Sequence, residues 1–173
     1  MHIDDRTEIL QNLGSASGAL AETLLRVTEE LAGRTPKPGS WSIRECMEHV
    51  ALVEEYLFHQ ISIATPSSSA MANVAREAMI VEVGMDRTRR FDAPEEVKPR
   101  NRFSTLKDAV EHFHLSRAKT IQFVEDCLDD PRTMLARHPR FGIVNNYEML
   151  LMMAIHPHRH AAQIREIAET LSP

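Results

Sequence analysis

Met149-Leu150-Leu151-Met152-Met153-Ala154-Ile155-His156-Pro157-His158-Arg159-His160 reads as the middle of a long helix, and the rest of the chain is arranged around it. Asn145 and Glu148 stand in capping relation before it, and the helical pattern continues to about Leu171. On a helical wheel His156 and His160, four apart, share a face with Met149, Met152, Met153, Ile167 and Leu171. His158 falls nearly opposite, among Ala154, Ala161 and Arg165. Two imidazoles are therefore expected where core side chains belong, and Gln163 continues the polar line one turn later.

Three further helices are legible upstream. Leu10, Leu13, Ser17, Leu20, Leu24, Val27 and Leu31 recur at steps of three and four, which predicts one long amphipathic helix from about Thr7 to Leu31. Gly33 ends it, and the short connector Pro36-Lys37-Pro38-Gly39 implies that the next helix returns antiparallel against it. Ser42 and Glu45 form a capping box, with Trp41 and Cys46 at the staple positions. Behind that cap Ile43, Cys46, Val50, Val53, Leu57 and Ile61 form an apolar stripe opposite Arg44, Glu48 and Glu55, with His49 at its edge. A third helix starts near Thr105, capped through Asp108, with the stripe Leu106, Val110, Phe113, Ile121, Val124 and Leu128. Between the second and third, residues 65–101 are weakly patterned: a helix over Ala70–Val83, then a connector bracketed by Pro94 and Pro99 with at most one helical turn. So long a link predicts a crossover. No strand alternation is convincing, and Pro131, Pro139 and Gly142 read as loop. The expectation is an all-α four-helix bundle with a long crossover between helices two and three, one domain over residues 1–173.

Bulk composition narrows function by exclusion. A net charge of -5 offers nucleic acid no general attraction, and the basic residues of Arg87–Arg102 alternate with acids as in a solvated connector. No apolar run reaches the length of a membrane span. The polar Met1-His2-Ile3-Asp4-Asp5-Arg6 start lacks a signal-peptide layout. With two cysteines, Cys46 and Cys127, no disulfide framework forms, and a cytoplasmic location is expected.

The chemistry lies with the histidines. A lone histidine on an apolar face is usually a satisfied core residue. Two at i, i+4 are harder to place, because each buried nitrogen without a partner costs about 1–3 kcal/mol. A divalent cation would satisfy both, since neutral imidazole is a good ligand for zinc, nickel or iron. His49 is the best third candidate, at the inner edge of a neighbouring helix; Cys46, one turn earlier, is more simply a small buried hydrophobe. Pro157 complicates the pair, because it removes the N–H that would bond the Met153 carbonyl and so kinks or restarts the helix. Arg117 in an apolar stripe has two readings: an arginine paired with a carboxylate of another helix, or a buried cation that holds an anionic group of a substrate. No serine triad, phosphate loop or paired carboxylates compete, and no catalytic residue can be assigned. Glu45, one turn before His49, and Gln163 are the candidates for partners behind the ligands.

Trp41-Ser42-Ile43-Arg44-Glu45-Cys46-Met47-Glu48-His49-Val50, together with His156, Arg159, His160, Gln163 and Ile164, resembles the DinB-like metal-binding four-helix bundles. His138-Pro139-Arg140-Phe141-Gly142, Ala93-Pro94-Glu95 and the Phe113/Arg117 spacing are similar too, so the likeness spans nearly the whole chain. The resemblance implies that His49, His156 and His160 bind a divalent metal, nickel or zinc, with water completing the shell. It further implies an enzyme related to thiol S-transferases that use bacillithiol or mycothiol, to thiol-dependent isomerases or to metal-dependent hydrolases, hence a small-molecule ligand and a low-molecular-weight thiol. The alternatives are a non-catalytic metal or ligand binder, or purely structural histidines. Homodimers are common in such bundles, although no surface patch in the sequence points to one.

Overall fold

The computed structural model describes residues 1–68 and 73–172, and these are mostly helical. The helices are α1 (Ile3–Leu24), α2 (Glu29–Gly33), α3 (Ile43–Ser62), α4 (Val74–Met85), α5 (Leu106–Asp126) and α6 (Asn146–Leu171), of which α1, α3, α5 and α6 are the long four. The predicted capping boxes Ser42/Glu45, Thr105/Asp108 and Asn145/Glu148 are all formed, so three of the four long helices start where their sequences say they should. No helix among the described residues is long and apolar enough to cross a membrane.

Partner residues fix the direction of each long helix. Arg44 of α3 reaches the carbonyl of Ser104 just before α5, Thr120 of α5 bonds Glu54 of α3, and Phe58 meets Phe123 further on, so α3 and α5 run parallel. Asn146 at the start of α6 bonds the carbonyl of Ile61 at the end of α3, and His156 meets His49 further along, so these two are antiparallel. Arg165 near the end of α6 bonds Thr23 near the end of α1, which makes α1 and α6 parallel. The four pack as a ring in the order α1, α6, α3, α5. Residues 63–105 bring the chain back from the end of α3 to the start of α5, and they carry α4, which packs on α6.

Several expectations are corrected. The predicted first helix breaks after Leu24: Leu25 is 79% exposed, and Thr28 caps a separate short helix, α2, which packs on α3. The chain does reverse between α1 and α3, but the principal neighbours of α3 are α5 and α6, so α1 and α3 lie diagonally. Leu128 leaves the α5 stripe because the helix ends at Asp126. Glu48 is buried, because the connector before α5 lies over it and gives its carboxylate the backbone N–H groups of Arg100 and Arg102. The predicted helix at Ala70–Val83 is α4, whose first described residue is Val74; its expected start at Ala70 lies outside the described residues.

A small antiparallel sheet was not anticipated: β1 (Thr65–Pro66), β2 (Met134–His138) and β3 (Gly142–Asn145), in the order β1-β2-β3. Strands this short give alternation no room to register. The β2–β3 turn is closed by Nδ1 of His138, which accepts from the N–H groups of Arg140 and Phe141, while Gly142 supplies the left-handed φ of +69. Helix α6 is the centre of the molecule. Its apolar run Met149–Ile155 is buried all round, with Ala154 and Ala161, expected on an outward face, covered as α4, α1 and α3 surround it.

Candidate metal centre

The core divides into two apolar clusters. One gathers Ile9, Leu13, Leu57, Val124 and residues 149–155; the other gathers Leu20, Ile43, Met47, Val50, Phe113, Ile164 and Ile167. Polar side chains lie between them. His49 from α3 meets His156 and His160 from α6, and one ligand-type atom from each ring lies within 4.8 Å of those of the other two. His49 and His160 are each 6% exposed, and His156 is half-buried. The structure thus brings together the three histidines singled out in the sequence.

The ring contacts define what the cluster can hold. Nδ1 of His49 lies 2.7 Å from the carbonyl of Val97, to which it donates, so the lone pair of Nε2 faces the cluster. Val97 is the last residue of the short turn Glu95–Val97, between Pro94 and Pro99, and is 4% exposed. Nε2 of His156 lies 3.2 Å from Nε2 of His49. Two nitrogens on one zinc-like ion, each about 2.0–2.1 Å from it, stand about 2.9–3.4 Å apart, so this separation suits a shared cation. Nδ1 of His160 is buried without a hydrogen-bond partner. The Trp41 ring packs against that of His49, their centroids 4.9 Å apart.

Electrostatics hold all three rings neutral. Burial lowers the proton affinity of His49, and the bond to Val97 opposes it less strongly. His156 is driven well below the ordinary histidine value, first by burial, then by His160, His49, Arg159 and Arg117. His160 is also driven well below that value, by burial, His49 and Arg159, with Gln163 opposing. Three neutral, desolvated imidazoles that converge form a donor set suited to a borderline divalent cation. Cys46 is fully buried and stands outside this group; burial pushes its thiol up to about 12, which keeps it protonated.

The other singled-out residues have clear places. Glu45 closes the cap of α3, where its carboxylate accepts from the N–H of Ser42 at 2.7 Å, and the partnership with His49 expected of it is made by Val97. Gln163 interacts with His160, as its place one turn later suggests. Arg117 is 2% exposed and bonds Glu54 of α3 at 2.8 Å, and Thr120 bonds the other carboxylate oxygen of Glu54 at 2.8 Å. Of its two readings, this is the geometry of the first, an ion pair with a carboxylate of another helix. Burial pushes the Glu54 carboxyl up, and Arg117 and Thr120 counter it. Arg159, between the two α6 histidines, bonds the carbonyls of Gly84, Asp86 and Arg89 and so fastens the end of α4 beside the cluster.

The sequence profile of the DinB superfamily matches residues 13–164. The chain belongs to the DinB superfamily. Two solved structures bear on how this DinB chain folds. One, described as "TT2238, a four-helix bundle protein", shares 18% identity at a TM-score of 0.60, over 93% of this chain and 98% of that one. The other is YfiT from Bacillus subtilis, described as "a probable metal-dependent hydrolase with an unusual four-helix bundle topology", with 14% identity and a TM-score of 0.60 over 98% of this chain and 89% of that one. At these identities both speak to the four-helix-bundle fold. No curated protein matches the chain.

Proposed function

We propose that this DinB-superfamily protein is a metal-dependent enzyme that holds a divalent cation, nickel or zinc, on His49, His156 and His160 and uses it to activate a low-molecular-weight thiol for S-transfer. The observation that carries the reading is the convergence of three neutral imidazoles from two helices, their candidate ligand atoms within 4.8 Å. Three protein ligands leave a position open, and a cation there would acidify a thiol or water so that a nucleophile exists at neutral pH. His49 is held in the ligating tautomer by Val97.

A thiol is favoured over water by what surrounds the rings. Water attack gains from a general base, and the nearby carboxylates of α3 are engaged elsewhere: Glu45 in the cap, Glu48 on the connector, Glu54 on Arg117 and Thr120. A thiol, with a free pKa of about 8.5 against about 15.7 for bulk water, starts far closer to ionisation, so it relies less on a base to supply the nucleophile. Hydrolysis is the second reading, suggested by the description of the Bacillus subtilis neighbour. The protein, purified without an affinity tag, is analysed for metal and then incubated with low-molecular-weight thiols and an electrophile. Mass spectrometry should find a metal-dependent thiol conjugate that His49→Ala abolishes. Metal-dependent ester or amide cleavage without a conjugate would replace transfer by hydrolysis, and wild type holding no more metal than His49→Ala would end both.

A further inference from the structure

Pro157 lies inside α6, between the two histidines of that helix, and has no N–H to offer the carbonyl of Met153 one turn earlier. A buried carbonyl without a donor is costly, and Pro157 and Met153 are both buried. The missing donor comes from another helix. Nη2 of Arg117 donates to the Met153 carbonyl at 2.9 Å and to Glu54 at 2.8 Å, while Nη1 lies 3.3 Å from the carbonyl of Leu13. One guanidinium therefore joins α1, α3 and α6 at the junction of the two core clusters. The turn it supports, Met153–Pro157, carries His156, and the carboxylate it binds lies on α3, the helix that carries His49.

We propose that Arg117 is a positioning residue for the metal centre: by replacing the N–H that Pro157 lacks, it fixes the turn that aims His156 at His49 and His160. This role rests on the metal reading above. It also accounts for an arginine in an otherwise apolar stripe, because an apolar residue there would leave the Met153 carbonyl without this donor and the buried Glu54 with Thr120 alone and no opposite charge. A lysine would keep the charge opposite Glu54 but not the planar fork that serves Glu54 and two carbonyls together.

The test is a double-mutant cycle on the full-length, untagged protein, with Co(II) as the probe and its visible absorption as the readout. Arg117→Lys should weaken Co(II) binding by about tenfold, the size usual for a partner behind the ligands, and shift the absorption bands. Pro157→Ala restores an N–H for Met153, so in that background Arg117→Lys should weaken binding by less than about threefold. Should Arg117→Lys fail to fold, the paired change Glu54→Gln with Arg117→Met leaves no lone charge and is compared with and without Pro157→Ala. Equal losses in the two backgrounds, or wild-type affinity and spectrum in Arg117→Lys, overturn the positioning role while the metal site stands. Wild-type protein that binds Co(II) no better than His160→Ala overturns the metal reading and this role with it.

Discussion

Removal of a single ring separates a metal centre from a merely polar core, and ligand linkage sets the size of the effect. If His49, His156 and His160 hold a cation, metal binds the native state and stabilises it: at free metal 1,000-fold above Kd the gain is about 4 kcal/mol. In a chain of 173 residues each kcal/mol moves Tm by about 2–4 °C, so nickel or zinc should raise Tm by about 8–16 °C over the chelator-treated protein. Loss of one of three ligands costs at least the upper end of the about 10–100-fold seen for partners behind ligands, so in His160→Ala the gain at the same metal concentration falls below about 1.4 kcal/mol, or about 3–6 °C. The metal-free variants should also differ from each other. His49→Ala strands the buried Val97 carbonyl at about 1–3 kcal/mol, whereas His160→Ala removes a ring whose Nδ1 has no partner and whose interaction is with the half-buried Gln163, which water can reach. Metal-free His160→Ala should therefore melt closer to wild type than His49→Ala. Thermal melts followed by circular dichroism, with metal content measured on the same samples, read all of this. A His160→Ala protein whose metal-induced shift equals that of wild type refutes the three-ring site.

Three other perturbations probe the scaffold. His138 is held neutral at about 4, below its ordinary 6.5, mainly by burial, so the unfolded chain takes up a proton first as pH falls. Stability from this residue is whole above pH 6.5 and is lost toward pH 4, by up to about 3 kcal/mol; urea titrations at pH 7 and 4.5 should show a smaller pH effect in His138→Ala, and an unchanged pH effect would remove the hairpin cap from the account. A Cβ on Gly84 would come within 2.8 Å of Cγ2 of Ile155, where α4 crosses α6. Gly84→Ala should cost about 1–3 kcal/mol and be partly rescued by Ile155→Ala, which denaturation midpoints of the two variants and their combination would reveal; additive losses would mean the contact is not the cause. Glu48→Ala takes away the acceptor of the Arg100 and Arg102 N–H groups, so hydrogen exchange at those two amides should speed up while α5 remains protected.

The fold and the three rings were legible because each depends on patterns local to one helix. Capping boxes at Ser42, Thr105 and Asn145 locate three helix starts, and the i, i+4 spacing of His156 and His160 marks a polar interruption on a face that periodicity assigns to the core. Residues whose role is decided by what lies opposite were harder to read. Glu48 is placed on the solvent side by the wheel and is buried by a connector that has no periodicity of its own. Glu54 did leave a signal: four residues after Val50 and three before Leu57, it shares the inward face, and an acid there on one helix with Arg117 inside the stripe of another forms a complementary pair. The sheet left none, since β1 is two residues long.

What aims the rings is carried by main-chain atoms. His49 is oriented by the carbonyl of Val97, and the turn that bears His156 by the carbonyl of Met153, which Pro157 frees for Arg117. Any residue in the place of Val97 or Met153 would offer the same oxygen, so side-chain pattern cannot announce either contact. Pro157 is the exception: a proline in mid-helix states that one particular carbonyl, four residues earlier, must find a donor elsewhere. A buried arginine on a facing helix is the donor best suited to supply it, with hydrogens left for the carboxylate that balances its charge. Pro157 and Arg117, each out of place in its own helix, explain each other once the helices are packed, and the turn they stabilise is the one that presents His156.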